Sequence, residues 1–220
     1  MNLFDILGPV MVGPSSSHTA GAVRIGYVAR RLLGEAPVRA ELLLHGSFAA
    51  TGRGHGTDRA LVAGLLGYAP DDERIPDSFE RAKEAGLAFT VGPTVIRGAH
   101  PNTAMLRLAG ESGRTLELVA SSLGGGRIKV VGIDGLEANF SGELPTLVVH
   151  NEDRPGHVAH VTGVIAEAGV NVATMQLYRD RRGGYAVMVV EVDQPVTEEI
   201  AARIRGMEGI IKVTYLNPEA

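Results

Sequence analysis

The second half of the chain alternates short apolar runs with segments of helical spacing. Apolar, β-branched runs predict strands at residues 146–150, 170–178, 185–192 and 210–215. Between the first two, apolar residues recur at the spacing of a helix face: Val158, Val161, Ile165 and Ala168. A second helix is expected after Thr197, whose hydroxyl suits an N-cap. The order βαββαβ predicts a ferredoxin-like fold for residues 146–220.

The first half is predicted to be mixed α/β, with a less regular pattern. Helices are expected at residues 18–33, capped by Ser16 or Ser17, then after Thr57 or Asp58, and at 78–85. Strands are expected at residues 38–46, 87–91, 94–97, 104–108, 115–121 and 128–133. The segment SGELP has the composition of a linker. We therefore expect an α/β (α+β) protein with two domains, residues 1–142 and 146–220.

Composition narrows the class of protein. The 220 residues are 45% hydrophobic with a formal net charge of −4, and they contain no dense Lys/Arg cluster, which argues against nucleic-acid binding. No apolar run approaches the roughly 18 residues of a membrane-spanning helix, and the N-terminal segment lacks the basic start of a signal peptide. We therefore expect a cytoplasmic protein. The sequence has no cysteine, so the chain can supply no thiolate to a metal.

The segment VGPSSSHTAG places five residues with hydroxyl or imidazole groups at a predicted helix start: Ser15, Ser16, Ser17, His18 and Thr19. The first N–H groups of a helix lack partners and carry partial positive charge. Hydroxyl groups there make a cradle for a carboxylate or a phosphate. Because capping alone would use one hydroxyl, the surplus favours a ligand-binding role.

A second polar segment is GRGHGTD, in which glycines surround His55. These glycines permit a strained or closely approached backbone. His55 is the side chain in the segment that can carry a proton near neutral pH. Asp58 is expected to cap the helix that follows, so His55 is the better candidate for chemistry.

Two more segments complete the set. HPNT, with His100 and Asn102, is predicted to be a turn between strands. SSLGGG could form an anion nest or a flexible loop. None of the four segments is decisive by itself, but together they are typical of the rim of one shared site.

In this order, GPSSSHT, GRGHGTD, HPNT and SLGGG resemble the beta subunit of bacterial iron–sulfur-dependent L-serine dehydratases. The resemblance covers residues 1–140 and implies a domain akin to the allosteric substrate-binding domain of D-3-phosphoglycerate dehydrogenase. Residues 146–218 resemble an ACT domain, an amino-acid-sensing module, with EDRPGHV as its first turn.

The resemblance implies the conversion of L-serine to pyruvate and ammonia by an enzyme with two kinds of subunit. It implies a 4Fe–4S cluster held by cysteines of a separate alpha subunit, with no metal ligand in this chain. It also implies that this chain completes the site across the subunit interface. The serine-binding candidates are Ser15, Ser16, Ser17, Thr19 and Asn102, and the catalytic candidates are His18, His55 and His100.

In the ACT part, the resemblance points to Asn151, Asp153 and Asn171 as ligand candidates. The phosphoglycerate dehydrogenase ACT domain binds serine through a His-x-Asn pair before Arg-Pro-Gly and through an Asn one helix later. Here the later Asn is kept, as Asn171, whereas Asn151 and Asp153 replace the earlier pair. Asp153 puts a negative charge in place of a neutral amide. We therefore expect homodimerisation through the ACT part, with weak serine binding or none.

Two alternatives remain open. A stand-alone amino-acid-binding regulator of another enzyme would account for the ACT part, but it leaves His55 and the surplus hydroxyls without a role. A metal-dependent hydrolase would use His18, His55 and His100. The sequence lacks the closely spaced His and carboxylate pattern of zinc motifs, which disfavours that alternative.

Overall fold

A computed structural model describes residues 10–217 of the chain. They form two compact units that divide between Asp134 and Gly135. The first unit begins with a π-helical turn, Ser16–Ala20, and continues in chain order with α1 Gly21–Leu33, β1 Pro37–Gly46, α2 Ser47–His55, α3 Thr57–Leu65, a 3₁₀ turn Ile75–Asp77, α4 Ser78–Glu84, β2 Ala88–Thr94, β3 Asn102–Gly110, β4 Thr115–Gly124 and β5 Arg127–Ile133.

The strands of the first unit lie in the order β2-β1-β3-β4-β5, with β2 parallel to β1 and the other pairs antiparallel. The alternation of side chains across a strand sends every second residue to the same face of the sheet. On one face, Leu42, Leu106 and Leu118 stand in register across three strands and are fully buried. Helix α1 covers this face, contacting β3, β4 and β5.

Helices α1 and α3 cross with their backbones in contact. A Cβ added to Gly64 would lie 2.0 Å from the carbonyl oxygen of Val23, and one added to Gly26 would lie 2.2 Å from that of Leu61. Only glycine fits at both positions. The crossing fixes α1, whose N-terminal end carries the serine-rich segment.

The second unit contains β6 Leu136–Phe140, β7 Thr146–Glu152, α5 His157–Glu167, β8 Val172–Arg179, β9 Tyr185–Val192, α6 Glu198–Arg205 and β10 Ile210–Leu216. Strands β7 to β10 form an antiparallel sheet in the order β10-β7-β9-β8, which confirms the predicted βαββαβ fold. Its core packs the sheet against α5 and α6 through Leu147, Val149, Val161, Ile165, Met188 and Ile204.

The boundary between the units lies before the expected linker. Strand β6, which the apolar pattern did not predict, packs on β8 and β9. Its alternate residues Ala138 and Phe140 are buried. The compact second unit begins at Gly135 and includes this strand.

Several predicted element ends are corrected. Ser15, not Ser16 or Ser17, caps the first helix. Residues 47–55 form a helix that was not predicted, and Gly56 in a left-handed conformation, with no side-chain cap, precedes α3 where Thr57 or Asp58 was expected to cap it. Residues 94–97 form no separate strand, because β2 runs on to Thr94. Thr197 caps α6 as predicted, accepting the N–H of Ile200. No helix among residues 10–217 is long and apolar enough to cross a membrane.

Candidate functional site

The serine-rich segment starts with a capped π-helical turn. Ser15 has extended backbone angles, and its Oγ accepts the N–H of His18 at 3.2 Å. The N–H of Gly21 donates to the carbonyl of Ser16, five residues earlier, which widens the turn. Such π-helical turns are rare and frequent at functional sites. Here the wide turn leaves Ser16 and Ser17 with roles other than capping.

His18 lies at the centre of a ring of hydroxyl groups. Its side chain is buried, with 9% of the residue exposed. Nδ1 lies 3.1 Å from Ser17 Oγ and 3.4 Å from Ser15 Oγ. Nε2 lies 3.1 Å from Ser47 Oγ and 3.0 Å from Thr51 Oγ1. Both ring nitrogens therefore have hydroxyl partners, and these come from two separate segments of the chain.

Helix α2 supplies the second half of this ring. Ser47, Thr51 and His55 follow one another at intervals of four residues, so they share one face of the helix. The rings of His55 and His18 lie 5.0 Å apart, centre to centre. His55 is exposed, and its Nδ1 lies 3.3 Å from the carbonyl oxygen of Thr51. Because a carbonyl only accepts, Nδ1 carries the proton, and the Nε2 lone pair of the neutral ring can accept one.

The environment keeps His18 uncharged. Burial lowers the pKa of the His18 imidazole below its usual 6.5, and the neighbouring charge of His55 lowers it further. The Phe48 ring packs edge-to-face with the same imidazole, with ring centres 5.2 Å apart. His18 is therefore neutral near pH 7 and has one nitrogen able to accept a hydrogen bond.

The HPNT turn meets this cluster through its backbone. The carbonyl of Pro101 accepts the N–H groups of Ser47 and Phe48, at 2.8 and 3.4 Å, and so caps the start of α2. Asn102 pairs with Gly46 at the adjoining end of β3. The exposed ring of His100 bonds within its own turn, where Nδ1 accepts the N–H of Asn102 at 3.1 Å. Thus the turn supports the cluster, while the imidazole of His100 stays in its own turn.

The SSLGGG segment meets the cluster from the other side. It forms the turn between β4 and β5, with positive φ at each of its three glycines. The N–H of Gly125 donates to Ser16 Oγ at 3.3 Å, so this amide is already used. Ser121 and Thr103 join the segment to HPNT through a hydroxyl contact of 2.7 Å. The four segments are thereby brought together at one end of the sheet.

Thr19 differs from the other members of the hydroxyl group. Only 2% of the residue is exposed, and its Oγ1 is buried without a hydrogen-bond partner among the described residues. It packs under Gly13, where an added Cβ would lie 2.5 Å from the Thr19 methyl group. A direct contact between Thr19 and a substrate would require this packing to open.

Ser47 and Thr51 were not among the residues singled out from the sequence. Their spacing with His55 was the available sign, but it has meaning only once residues 47–55 are known to be helical. A cleft of about 610 Å³ is lined in part by Phe48 and includes Asp58 in an otherwise apolar lining. Within residues 10–217, no three His, Asp or Glu side chains are grouped as a metal site.

In the ACT part, the candidate residues have other partners. Asp153 accepts the N–H of Gly183 at 2.9 Å and pairs with Arg179 at 3.0 Å. The Gly183 amide and then the Arg179 guanidinium hold the pKa of the Asp153 carboxyl below its usual range. This charge therefore joins the first turn to the β8–β9 hairpin, which lessens the repulsion of a carboxylate that we expected.

The two asparagines lie at opposite ends of the ACT sheet within one chain. Asn151 pairs with Ala186 of β9, and Ala186 also pairs with Arg179, the last residue of β8. Asn171 precedes the first residue of β8, and its amide donates to Asp193 at 2.6 Å. Asn151 is 3% exposed, and its amide donates to the carbonyl of Glu152. They do not form one site within a single chain.

Comparison with known proteins identifies the family. A model of the serine dehydratase beta chain matches residues 2–88, and a model of the ACT domain matches residues 145–209. The chain is 42% identical over 215 residues to the probable L-serine dehydratase beta chain of Bacillus subtilis, with 98% of this chain and 97% of that protein covered. The chain belongs to the family of L-serine dehydratase beta chains.

Further relatives agree with this assignment. The L-serine dehydratase beta chain of Peptoniphilus asaccharolyticus is 38% identical over 214 residues, covering 97% of this chain and 96% of that protein. The L-serine dehydratase of Streptomyces coelicolor is 39% identical over 116 residues, which span 48% of this chain and 25% of that protein. The chain is thus a lyase subunit that carries an ACT domain.

Proposed function

We propose that this chain completes, together with an alpha subunit, the site that converts L-serine to pyruvate and ammonia, and that it is inactive alone. The observation that carries the proposal is the pair His18–His55, whose rings lie 5.0 Å apart, centre to centre, among hydroxyl groups in this member of the beta-chain family. The Streptomyces enzyme supports a second component, since the match to this chain spans only a quarter of its length.

The cofactor fits this division of labour. The chain has no cysteine, so its residues do not suit a 4Fe–4S cluster, which thiolates hold. We assign the cluster to the alpha subunit, where it would act as a Lewis acid toward the 3-hydroxyl of serine. Substrate recognition and proton transfer are then the work of this chain.

The binding role falls to the start of the first helix. Ser16 Oγ accepts the N–H of Gly125 and keeps its own proton, which it can donate to the substrate carboxylate. The helix start favours the same negative charge. Asn102, half-buried at the adjoining strand end, is the further polar contact. Ser15 contributes indirectly, because its hydroxyl already caps the turn.

The proton-transfer role falls to His55. The residue is exposed, and with the proton on Nδ1 its Nε2 has a lone pair that can accept the α-proton of serine. Loss of the α-proton and of the 3-hydroxyl as water leaves an aminoacrylate, which hydrolyses to pyruvate and ammonia. His18 orients the hydroxyl groups beside this base. His100, held in its own turn, is the weakest of the three candidates.

Co-purification and kinetics test the proposal. We expect the full chain to capture a brown, cysteine-bearing partner, and the complex to form pyruvate from L-serine. His55→Ala should lower kcat by about 100-fold or more, and Ser16→Ala should mainly raise KM. His160→Ala is the matched control, since His160 is an exposed histidine on an ACT helix. Serine turnover by the isolated chain after cluster reconstitution would contradict the proposal.

For the ACT part, we propose that it chiefly joins two beta chains and binds serine weakly or not at all. Two observations support this. Asp153 and Asn171 are engaged within the chain, and among the strands of residues 10–217, β8 lies at the edge of the ACT sheet, where another strand can pair with it. Sedimentation should give a dimer of the full chain, and calorimetric titration with L-serine should give little heat. Tight binding that Asn171→Ala abolishes would overturn the second half of the proposal.

The regulatory module remains the second candidate, because the ACT match favours amino-acid sensing. It predicts a colourless homodimer that binds an amino acid and captures no cysteine-bearing partner. The same co-purification therefore distinguishes the two functions.

A further inference from the structure

The hydroxyl of Thr51, in helix α2, has a defined hydrogen-bond direction. Its hydroxyl lies 2.9 Å from the carbonyl oxygen of Ser47, one helical turn earlier. A carbonyl has no proton to give, so Thr51 donates its single hydroxyl proton there. The same oxygen lies 3.0 Å from His18 Nε2. Toward His18, Thr51 can therefore only accept.

This favours a proton on Nε2 of His18 over one on Nδ1. With a proton on Nε2, the ring donates toward Thr51 Oγ1, with Ser47 Oγ at 3.1 Å as a second acceptor. Without it, Ser47 Oγ could donate to Nε2, but the lone pairs of Nε2 and Thr51 Oγ1 would still face each other across the shorter contact of 3.0 Å in a buried site. The neutral ring that burial favours thus has Nε2–H and a bare Nδ1.

The unprotonated Nδ1 then determines the hydrogen-bond directions of Ser15 and Ser17. Ser15 Oγ accepts the backbone N–H of His18 and lies 3.3 Å from Ser17 Oγ. Ser17 Oγ lies 3.1 Å from Nδ1 and is the nearer of the two hydroxyls. A chain of donors from Ser15 to Ser17 to Nδ1 satisfies the two shorter contacts, 3.3 and 3.1 Å, and leaves the 3.4 Å contact between Ser15 Oγ and Nδ1 without a proton. Ser17 then gives its proton to the ring and presents a lone pair outward.

We propose that Thr51 is a positioning residue that holds His18 in the Nε2–H form, so that Ser17 faces the substrate as a hydrogen-bond acceptor. In this arrangement Ser17 receives a proton from the ammonium or 3-hydroxyl group of serine, whereas Ser16 donates to the carboxylate. The role of Ser17 toward serine rests on the proposed function. The tautomer of His18 is a property of this chain alone.

The ¹⁵N chemical shifts of the His18 ring in the full-length chain, near pH 8, test the tautomer directly. We expect a protonated Nε2 and an unprotonated Nδ1, with a mixed or inverted pattern in Thr51→Val. Thr51→Ser keeps the hydroxyl and should restore the wild-type pattern. A protonated Nδ1 in the wild type would overturn the proposal, whether or not the chain belongs to an active complex.

A matched control separates this role from helix stability. Thr162 also donates its hydroxyl to the carbonyl four residues earlier, at 2.8 Å, on an ACT helix. Thr162→Val therefore removes the same helix contact without touching His18. In the complex with an alpha subunit, Thr51→Val should lower kcat/KM about 10-fold, and Thr51→Ser and Thr162→Val should not. If Thr51→Val matched Thr162→Val in both tautomer and kinetics, Thr51 would not be the positioning group. Absence of turnover in every variant, with the shifts as expected, would count against the proposed function and leave the tautomer assignment standing.

Discussion

Gly64→Ala tests whether the backbone contact between α1 and α3 requires glycine at their crossing. The added Cβ would lie 2.0 Å from the carbonyl oxygen of Val23, 2.6 Å from the amide nitrogen of Tyr27 and 2.9 Å from the Cα of Gly26. These are backbone atoms, so no side-chain rotation relieves the overlap. To reach an ordinary contact of 3.4 Å, the helices must separate by about 1.4 Å.

The magnitude follows from two opposed effects. Overpacking a close contact costs about 1–3 kcal/mol, and the separation also loosens the buried residues on either side. Alanine regains about 1 kcal/mol of helix propensity over glycine. We expect a net loss of up to about 2 kcal/mol in the free energy of unfolding, measured by urea titration with circular dichroism.

Gly54→Ala provides the matched control in the same unit. Gly54 is helical and exposed, and an added Cβ would meet no atom within 4 Å. Only the propensity effect remains, so this variant should be neutral or up to about 1 kcal/mol more stable. Gly64→Ala as stable as the wild type, or a loss of equal size in both variants, would refute the backbone contact as the reason for glycine at this crossing.

Two further predictions concern stability. Burial and His55 lower the pKa of His18 in the folded chain, so as the pH falls the unfolded chain binds the proton first. The contribution of neutral His18 to the free energy of unfolding is therefore complete above pH 6.5 and declines as the pH falls below it. Urea titrations near pH 8 and pH 5.5 should show this decline in the wild type, and His18→Gln should lack it; equal pH profiles would contradict the assignment. Thr197→Ala removes the N-cap of α6 and should lower the free energy of unfolding of the ACT unit by about 1 kcal/mol. Thr197→Ser keeps a capping hydroxyl and should retain most of that stability. An unchanged urea midpoint in Thr197→Ala would mean that the cap contributes little.

The ACT half could be predicted from the sequence because the spacing of apolar residues within each element indicates either a strand or a helix. Residues 185–192 form a strand with the expected ends, and Thr197 caps its helix as the pattern indicates. In the first half, Gly52 and Gly54 each disfavour a helix by about 1 kcal/mol, so residues 47–55 resembled a loop. The capping carbonyl of Pro101 and the contacts of Ser47 and Thr51 with His18 outweigh that preference.

The candidate site could be predicted only in part for the same reason. Local patterns single out histidines and hydroxyls, but distances between them depend on pairings far apart in sequence. His18 and His55 meet because α2 is a helix, whereas His100 stays in its own turn. Likewise, the separation of Asn151 from Asn171 follows from the register of β7, β9 and β8, which no local pattern contains.

The surplus of hydroxyls at the start of the chain has a chemical reason once each is placed. Ser15 caps the turn, Ser16 binds the glycine turn, and Ser17 faces His18 Nδ1. A carboxylate beside His18 would orient the ring equally well, but its charge would raise the pKa of the imidazole and favour the protonated form. Hydroxyl groups orient both nitrogens and add no charge. Burial can then keep His18 neutral, beside a second imidazole that must take up a proton during the proposed reaction.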